Sequence, residues 1–274
     1  MKKIILSVAF AAVLSGCEKK EEVKEDEKVK ENYTLSIDSP NAVKNGQKCS
    51  VSSNVSPNAS TVSNVELFLD GKSHEKKFSP PFVFDVTLKD LLTGDHKFVA
   101  TATLKDGTII TSIEKGFIFS VSLGDDYQGG IVIKTTDEGV HGTIASKSDL
   151  SGGVSGKYKY GLYNGNYQAY SIDDGLSNTN KFAGKYDNDY AAIACLNLEL
   201  NGYDDWYLPA HKEFEDIGKF ESILIQNRLE NIYWTSTLRN DDTHAEIYTF
   251  GRVSYTLSDL DIQKYHYVKP CRRF

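Results

Sequence analysis

The chain has 274 residues, 31 Lys and Arg against 38 Asp and Glu, and a formal net charge of −7 at pH 7. An acidic chain of this kind excludes nucleic acid as a partner and argues against a sulfated polyanion, because phosphate and sulfate recognition needs a basic surface. The length accommodates two folded domains of ordinary size, and no segment is apolar enough to cross a bilayer, which takes roughly 20 apolar residues.

The first element is a leader: Lys2 and Lys3, an apolar run over residues 4–14, then Leu14-Ser15-Gly16-Cys17. A basic start, a short apolar run and small residues in that order form a secretory signal. Leu-Ser-Gly-Cys resembles the lipobox of bacterial lipoproteins. That resemblance implies removal of residues 1–16, acylation of Cys17, and an anchor held by about 0.8 kcal/mol per buried methylene. Residues 17–32 form a charged tether in which Val23 and Val29 alone are apolar. Such a stretch buries too little surface to offset the entropy of ordering it, and its 15 residues after Cys17 span roughly 50 Å when extended. Lys20-Glu21-Glu22 resembles the export signal that sends some Bacteroidetes-type lipoproteins to the cell surface. The expected location is therefore the outer membrane, exposed to the exterior. Acylation of Cys17 leaves three of the four cysteines, enough for one bridge and one free thiol.

Residues 33–120 alternate apolar and polar side chains in short runs, the period of half-buried strands. Phe82, Phe84, Val86 and Leu88 share one face, and so do Phe98, Ala100, Ala102 and Leu104. Asp70-Gly71, Ser79-Pro80-Pro81, Thr93-Gly94-Asp95 and Asp106-Gly107 supply the turns between them. Short strands at this spacing predict a β-sandwich. Val65-Glu66-Leu67-Phe68-Leu69-Asp70-Gly71, Pro80-Pro81-Phe82, Leu92-Thr93-Gly94-Asp95-His96 and Leu104-Lys105-Asp106-Gly107 resemble bacterial immunoglobulin-like domains, which implies a spacer and in some cases a ligand binder. Cys49, in a strand-like run, is expected as a buried, inert thiol.

Residues 121–274 differ in composition, being richer in Tyr, Gly and Asn and holding both tryptophans. Strands are expected over 129–133 and 141–145, joined by the Asp137-Glu138-Gly139 turn. A helix over 186–200 is expected to bury Ala191, Ala194, Cys195 and Leu198 and to end at Asn201-Gly202. A second helix opens at Pro209 and buries Ala210, Phe214 and Ile217 before Gly218. Strands return over 233–237, 245–250, 252–257 and 267–273. The succession Tyr127-Gln128-Gly129-Gly130-Ile131-Val132, His141-Gly142, Asn178-Thr179, Ala191-Ala192-Ile193-Ala194-Cys195, Gly202-Tyr203-Asp204-Asp205-Trp206-Tyr207-Leu208-Pro209, Tyr233-Trp234-Thr235-Ser236-Thr237 and Val268-Lys269-Pro270-Cys271-Arg272-Arg273-Phe274 resembles the Lcl carboxy-terminal domain family, a domain of unknown function named for a collagen-like adhesin. The family is related to the C-type lectin and formylglycine-generating-enzyme folds. The resulting fold class is mainly β, then α+β: an Ig-like sandwich followed by a C-type-lectin-like domain. The resemblance places Cys195 and Cys271 where lectins bridge helix to last strand. Such a bridge would contribute about 4 kcal/mol in the chain-entropy model, and two buried thiols are the alternative.

The sequence has no His-Glu-x-x-His, Cys-x-x-Cys, Gly-x-Ser-x-Gly or Gly-x-x-x-x-Gly-Lys, so no enzyme and no cofactor are expected. His211-Lys212-Glu213-Phe214-Glu215 lacks a second histidine and reads as an exposed helix face. Calcium is possible but has no supporting motif, because Pro209 and Pro270 do not sit in a Glu-Pro-Asn or Gln-Pro-Asp loop. Trp206 and Trp234 read as core. Tyr, Asn and Asp crowd residues 158–190, where they either supply rings and adaptable hydrogen bonds to a ligand or hold a polar insertion together. The candidate binding residues are Tyr163, Asn164, Asn166, Tyr167, Asp187 and Asp189, with Asp241, Asp242 and His244 from a loop between strands. The expected role is adhesion to a glycan or protein ligand. The competing readings are a structural envelope lipoprotein without a soluble ligand and an enzyme whose site is assembled from distant residues.

Overall fold

Alternation organises the first half of the chain as its sequence implies. The structure, a computed structural model, describes residues 32–163, 165–184, 190–225, 232–239, 243–250 and 259–274. The chain divides into Met1–Asn32 and a compact unit, Tyr33–Phe274. The expected leader and Cys17 lie outside the described residues, as does the tether up to residue 31. Among the described residues no helix is long and apolar enough to cross a membrane.

Nine strands build the sandwich: β1 (Thr34–Asp38), β2 (Ala42–Lys44), β3 (Lys48–Ser56), β4 (Val62–Leu69), β5 (Lys72–Lys77), β6 (Val83–Thr87), β7 (Gly94–Leu104), β8 (Ile109–Thr111) and β9 (Lys115–Ser120). One sheet runs β1-β3-β6. The other runs β2-β9-β7-β4-β5, with β8 also on β7. All these pairings are antiparallel except β2 with β9. Register places Val51 opposite Phe84 and Leu67 opposite Ala100. Phe84, Val86, Phe98, Ala100 and Ala102 are fully buried in one apolar cluster. Burial of each large side chain contributes roughly 1.5–3 kcal/mol. The edge strand β5, Lys-Ser-His-Glu-Lys-Lys, is polar throughout, which keeps an open row of backbone groups from recruiting another strand. Cys49 is a buried free thiol, and burial raises its pKa.

The second half adds β10 (Asp126–Tyr127), β11 (Gly130–Thr136), β12 (His141–Ser146), α1 (Gly175–Asn180), α2 (Ala191–Leu196), α3 (His211–Gly218), α4 (Glu221–Leu224), β13 (Ile232–Leu238), β14 (His244–Thr249), β15 (Asp259–Asp261) and β16 (Cys271–Arg273). They form a sheet β10-β11-β12-β16 and a sheet β13-β14-β15. Trp206 and Trp234 are buried. The protein is mainly β.

Several elements depart from the sequence pattern. The helix expected over 186–200 is confined to the six residues of α2, and residues 186–189 lie outside the described set. Asn201 (φ 56°) and Gly202 (φ 80°) do not end a helix. They form a tight turn between Leu200 and Tyr203, which bond to each other through their backbones, and Asn-Gly suits two positive φ values in succession. The strand expected over 267–273 shortens to β16, and the one over 252–257 lies outside the described residues. Cys195 and Cys271 are free thiols, a correction to the expected bridge. Each packs into a different apolar cluster, Cys195 with Trp234 and Leu208, Cys271 with Phe214 and Tyr233. Burial raises both thiol pKa values, so neither forms a reactive thiolate.

Residues 33–120 and 121–274 share a core. Val121, Tyr127, Val132 and Ile144 belong to the same cluster as Phe98 and Phe119. The Tyr127 hydroxyl donates to the Leu91 carbonyl at 2.8 Å and the Thr93 hydroxyl to the Val140 carbonyl at 2.5 Å, while Val121, directly after β9, donates its N–H to the Gly139 carbonyl at 3.0 Å. Gly139 has φ +94°, and a Cβ there would lie 2.1 Å from the Val121 oxygen. Gly107 has a similar φ of +88° with nothing nearby. Gly139→Ala should therefore cost at least about 2 kcal/mol in urea unfolding, against about 1 kcal/mol for Gly107→Ala, which carries backbone strain alone. Equal losses would show that the approach of these two segments is dispensable.

Candidate functional site

The segment after β12 is bonded to β13 and to the chain just beyond β15: Leu238 N–H donates to the Ala169 carbonyl at 2.7 Å, and Tyr160 N–H to the Ile262 carbonyl at 3.0 Å. Its tyrosines separate by burial. Tyr158, Tyr160 and Tyr167 are buried; Tyr167 stacks on Phe182 with ring centroids 4.2 Å apart, and its hydroxyl accepts the Leu162 N–H at 2.6 Å. Tyr167 is thus a core residue, a correction to its expected role at a ligand. Tyr163 is 48% exposed, and its hydroxyl donates to Asp261 Oδ2.

Asp261 is the node of a polar rim. Its Oδ1 accepts the Gln263 N–H at 2.9 Å, and it stands opposite His244 in the β14–β15 register. Gln263 donates to the Gly161 carbonyl at 2.5 Å and accepts from Lys159 Nζ at 3.2 Å. Lys159 Nζ also lies 5.4 Å from the centroid of the Tyr265 ring. His244 Nδ1 is 2.9 Å from Thr243 Oγ1. The hydrogen bond from Tyr163 holds the Asp261 carboxyl below its ordinary pKa, and the same carboxylate raises that of the Tyr163 phenol. The rim is an exposed ring flanked by fixed acceptors and donors, an arrangement suited to stacking and hydrogen bonding.

Of the sequence-predicted site residues, Tyr163 and His244 converge at this rim. Asn166 is an exposed turn residue (φ 48°) whose side chain accepts from Gln168. Asn164, Asp187, Asp189, Asp241 and Asp242 lie outside the described residues. Sequence reasoning missed Asp261, Gln263 and Lys159. The available signal was Asp259-Leu260-Asp261, an acidic pair between two expected strands. Among the described residues no three His, Cys, Asp or Glu side chains cluster as a cation site.

A second polar cluster fastens α3. Glu213 is 5% exposed, a correction to the exposed face expected for this helix. Its Oε2 accepts the N–H groups of Ala210 at 2.8 Å and Gly175 at 3.1 Å, and its Oε1 accepts the Tyr207 hydroxyl at 2.8 Å. The contact to Ala210 is the backward half of a capping box, while Gly175 ties in α1 from far along the chain. Burial raises the Glu213 pKa. Lys269 is also buried, 2.7 Å from Asp149 and donating to the Leu224 carbonyl at 2.8 Å. Both groups join distant loops and leave no face open to a ligand.

His211 opens α3 with Nδ1 3.2 Å from Glu246 and Nε2 3.9 Å from Glu215. Glu246 outweighs the opposing effect of burial and raises the imidazole pKa above the ordinary 6.5. A raised histidine pKa stabilises the fold fully below that ordinary value, and the contribution disappears as pH rises through the folded-state pKa. The thermal midpoint should accordingly fall as pH rises above about 6.5, and Glu246→Gln should flatten the decline. An unchanged pH profile in the variant would contradict the assignment.

Against known proteins, residues 34–100 match the family described as Bacterial Ig domain, in agreement with the observed sandwich. Among solved structures, the fibronectin(III)-like modules of Clostridium thermocellum CbhA are similar at 20% identity over 41% of this chain, with a TM-score of 0.29. The chain spans 60% of the length of that protein chain. The comparison with curated proteins gives no match. The fold is mainly β, and residues 34–100, which match the bacterial Ig family, lie within its first sandwich.

Proposed function

We propose that this chain is a lipoprotein anchored through Cys17, exposed at the outer surface of the cell, that binds a glycan or protein ligand through the rim around Tyr163, Asp261 and His244. The observation that carries the reading is Tyr163 itself. It is an aromatic ring left half exposed between the buried Tyr160 and Tyr167, with its hydroxyl pinned by a carboxylate. A ring held in place loses little freedom when a flat apolar face stacks on it, and the adjacent amide, ammonium and imidazole groups supply directional bonds. The order of motifs along residues 121–274 resembles that of the Lcl carboxy-terminal domains, which supports a lectin-like arrangement presenting this rim. The leader, Cys17 and the charged tether support export and anchoring. The Ig-like sandwich acts as a rigid support for the rim, because the two halves share a core. Binding of this kind needs no catalytic group and no cofactor.

Residues 33–274, applied to glycan and protein arrays with and without calcium, should retain at least one ligand, and Tyr163→Ala should weaken it about tenfold, equivalent to about 1.4 kcal/mol. No retained ligand, or equal binding by Tyr163→Ala, would overturn the role of the rim. In cells, incorporation of a labelled fatty acid should disappear with Cys17→Ser. Protease added to intact cells should remove the protein, and full protection would overturn its placement at the surface.

A further inference from the structure

Consecutive residues of a strand face opposite ways, and β16 sends Arg272 and Arg273 into different surroundings. Arg272 has a side chain only 8% exposed. It donates from Nε and Nη2 to the two oxygens of Asp205 at 2.6 and 3.0 Å, donates from Nη1 to Gln128, and lies 3.9 Å from the centroid of the Tyr203 ring. Every edge of that guanidinium is engaged, and its role is structural.

Arg273 is different. Its side chain is 46% exposed, and its Nη2 donates to Asp174 Oδ1 at 2.9 Å. The guanidinium carbon lies 5.7 Å from the Tyr207 ring centroid, and the buried Glu213 carboxylate is 4.0 Å away. These contacts, through Nη2 and the face of the guanidinium, fix the group in place. Arg273 lines, with Asp174, Leu176, Ser177, Asn180 and Lys181, a shallow cavity of about 460 Å³ that opens widely to solvent. Asp174 and Lys181 cap the two ends of α1 and, with Ser177, stand at i, i+7 and i+3 on one side of it. Asp174 Oδ1 is already occupied by the Ser177 N–H and by Arg273. Lys181 Nζ donates to the Gln168 carbonyl, which sets the ammonium at the cavity wall.

Two cations therefore line the cavity with the committed Asp174 carboxylate, and the Glu213 carboxylate lies buried beside Arg273, in a chain whose net charge is −7. A guanidinium fork matches a carboxylate in two parallel hydrogen bonds. Ser177, Asn180 and the remaining oxygen of Asp174 can exchange hydrogen bonds with hydroxyl groups, and Leu176 offers an apolar patch. The volume lies within the roughly 300–1,000 Å³ of small-molecule sites. The acidic surroundings disfavour a long polyanion, so the cavity fits a single acidic group on a compact polar body.

We propose that this cavity binds a small polyhydroxylated carboxylate of monosaccharide size, with its carboxylate on Arg273 beside Lys181 and its hydroxyls on Ser177, Asn180 and Asp174. The site is separate from the Tyr163 rim and does not depend on the role proposed for it. Calorimetric titration of the Tyr33–Phe274 unit with glucuronate, glucose and a glucuronate-terminated oligosaccharide tests it. Glucuronate should bind in the millimolar range or tighter and glucose at least tenfold more weakly. Arg273→Gln should weaken glucuronate at least tenfold and Lys181→Gln about threefold, while Tyr163→Ala should leave it unchanged. Equal affinity of the oligosaccharide would identify a glycan end as the source of the acid; its exclusion would identify a free sugar acid. Lys181 lies outside the sheets, so Lys181→Gln decides the matter if Arg273→Gln loosens β16. Absence of glucuronate binding, equal binding of glucose, tighter binding of a sulfated oligosaccharide, or unchanged glucuronate affinity in the variants would overturn the proposal.

Discussion

The structure depends on one apolar core continued across the junction near residue 120. Tyr127 is the residue that fixes it. Its ring is buried in the cluster of the sandwich and meets Phe274 edge-on with centroids 5.3 Å apart, while its hydroxyl satisfies the Leu91 carbonyl. A tyrosine buried with its hydroxyl paired combines a large apolar contact with a directional one, so the second half of the chain cannot slide on the first without losing both. Gly139 lets the chain leaving β9 pass close to the turn before β12, next to Val140, whose carbonyl accepts the Thr93 hydroxyl at 2.5 Å. The sandwich is consequently part of the body that holds the candidate surfaces, and a pull on the amino-terminal side would pass to those surfaces through packed side chains.

The same strand that closes this core sorts the charged groups. Around β16, Phe274 packs against the shared core, Arg272 is locked by Asp205 and Gln128, and Arg273 turns to an open cavity. Two buried charged groups in this half are paired across long stretches of sequence: Glu213 with Gly175, Lys269 with Asp149 and Leu224. Unpaired, each would cost several kcal/mol. Paired, they fix loops that would otherwise be mobile and leave the exposed Tyr163 and Arg273 as the preorganised donors and surfaces.

Period-two alternation made the sandwich legible, because Phe98, Ala100, Ala102 and Leu104 report their common face without reference to the rest of the chain. The second half was legible where local rules decide, as at α3, and illegible where distant partners decide. Glu213 reads as a surface residue until Gly175 and Tyr207 are brought to it. Tyr163 and Tyr167 have similar neighbours in sequence, yet one ring meets Phe182 and the other Asp261, and nothing local separates them. The apolar seam at Ala191, Ala194 and Cys195 marked a helix correctly, but the helix stops at Leu196, well short of the Asn201-Gly202 turn. Asp261 and Lys159 join the candidate site through Gln263, a contact between segments about a hundred residues apart that no local pattern encodes.

The central claim is that residues 33–274 fold as one cooperative body around a shared core. Native-state hydrogen exchange, followed through increasing denaturant, measures this most directly. Amides in β7 of the sandwich and in β11 and β12 beyond the junction should merge into one opening reaction with a common free energy and a common denaturant dependence. Two separate global openings, one for each half, would contradict the account.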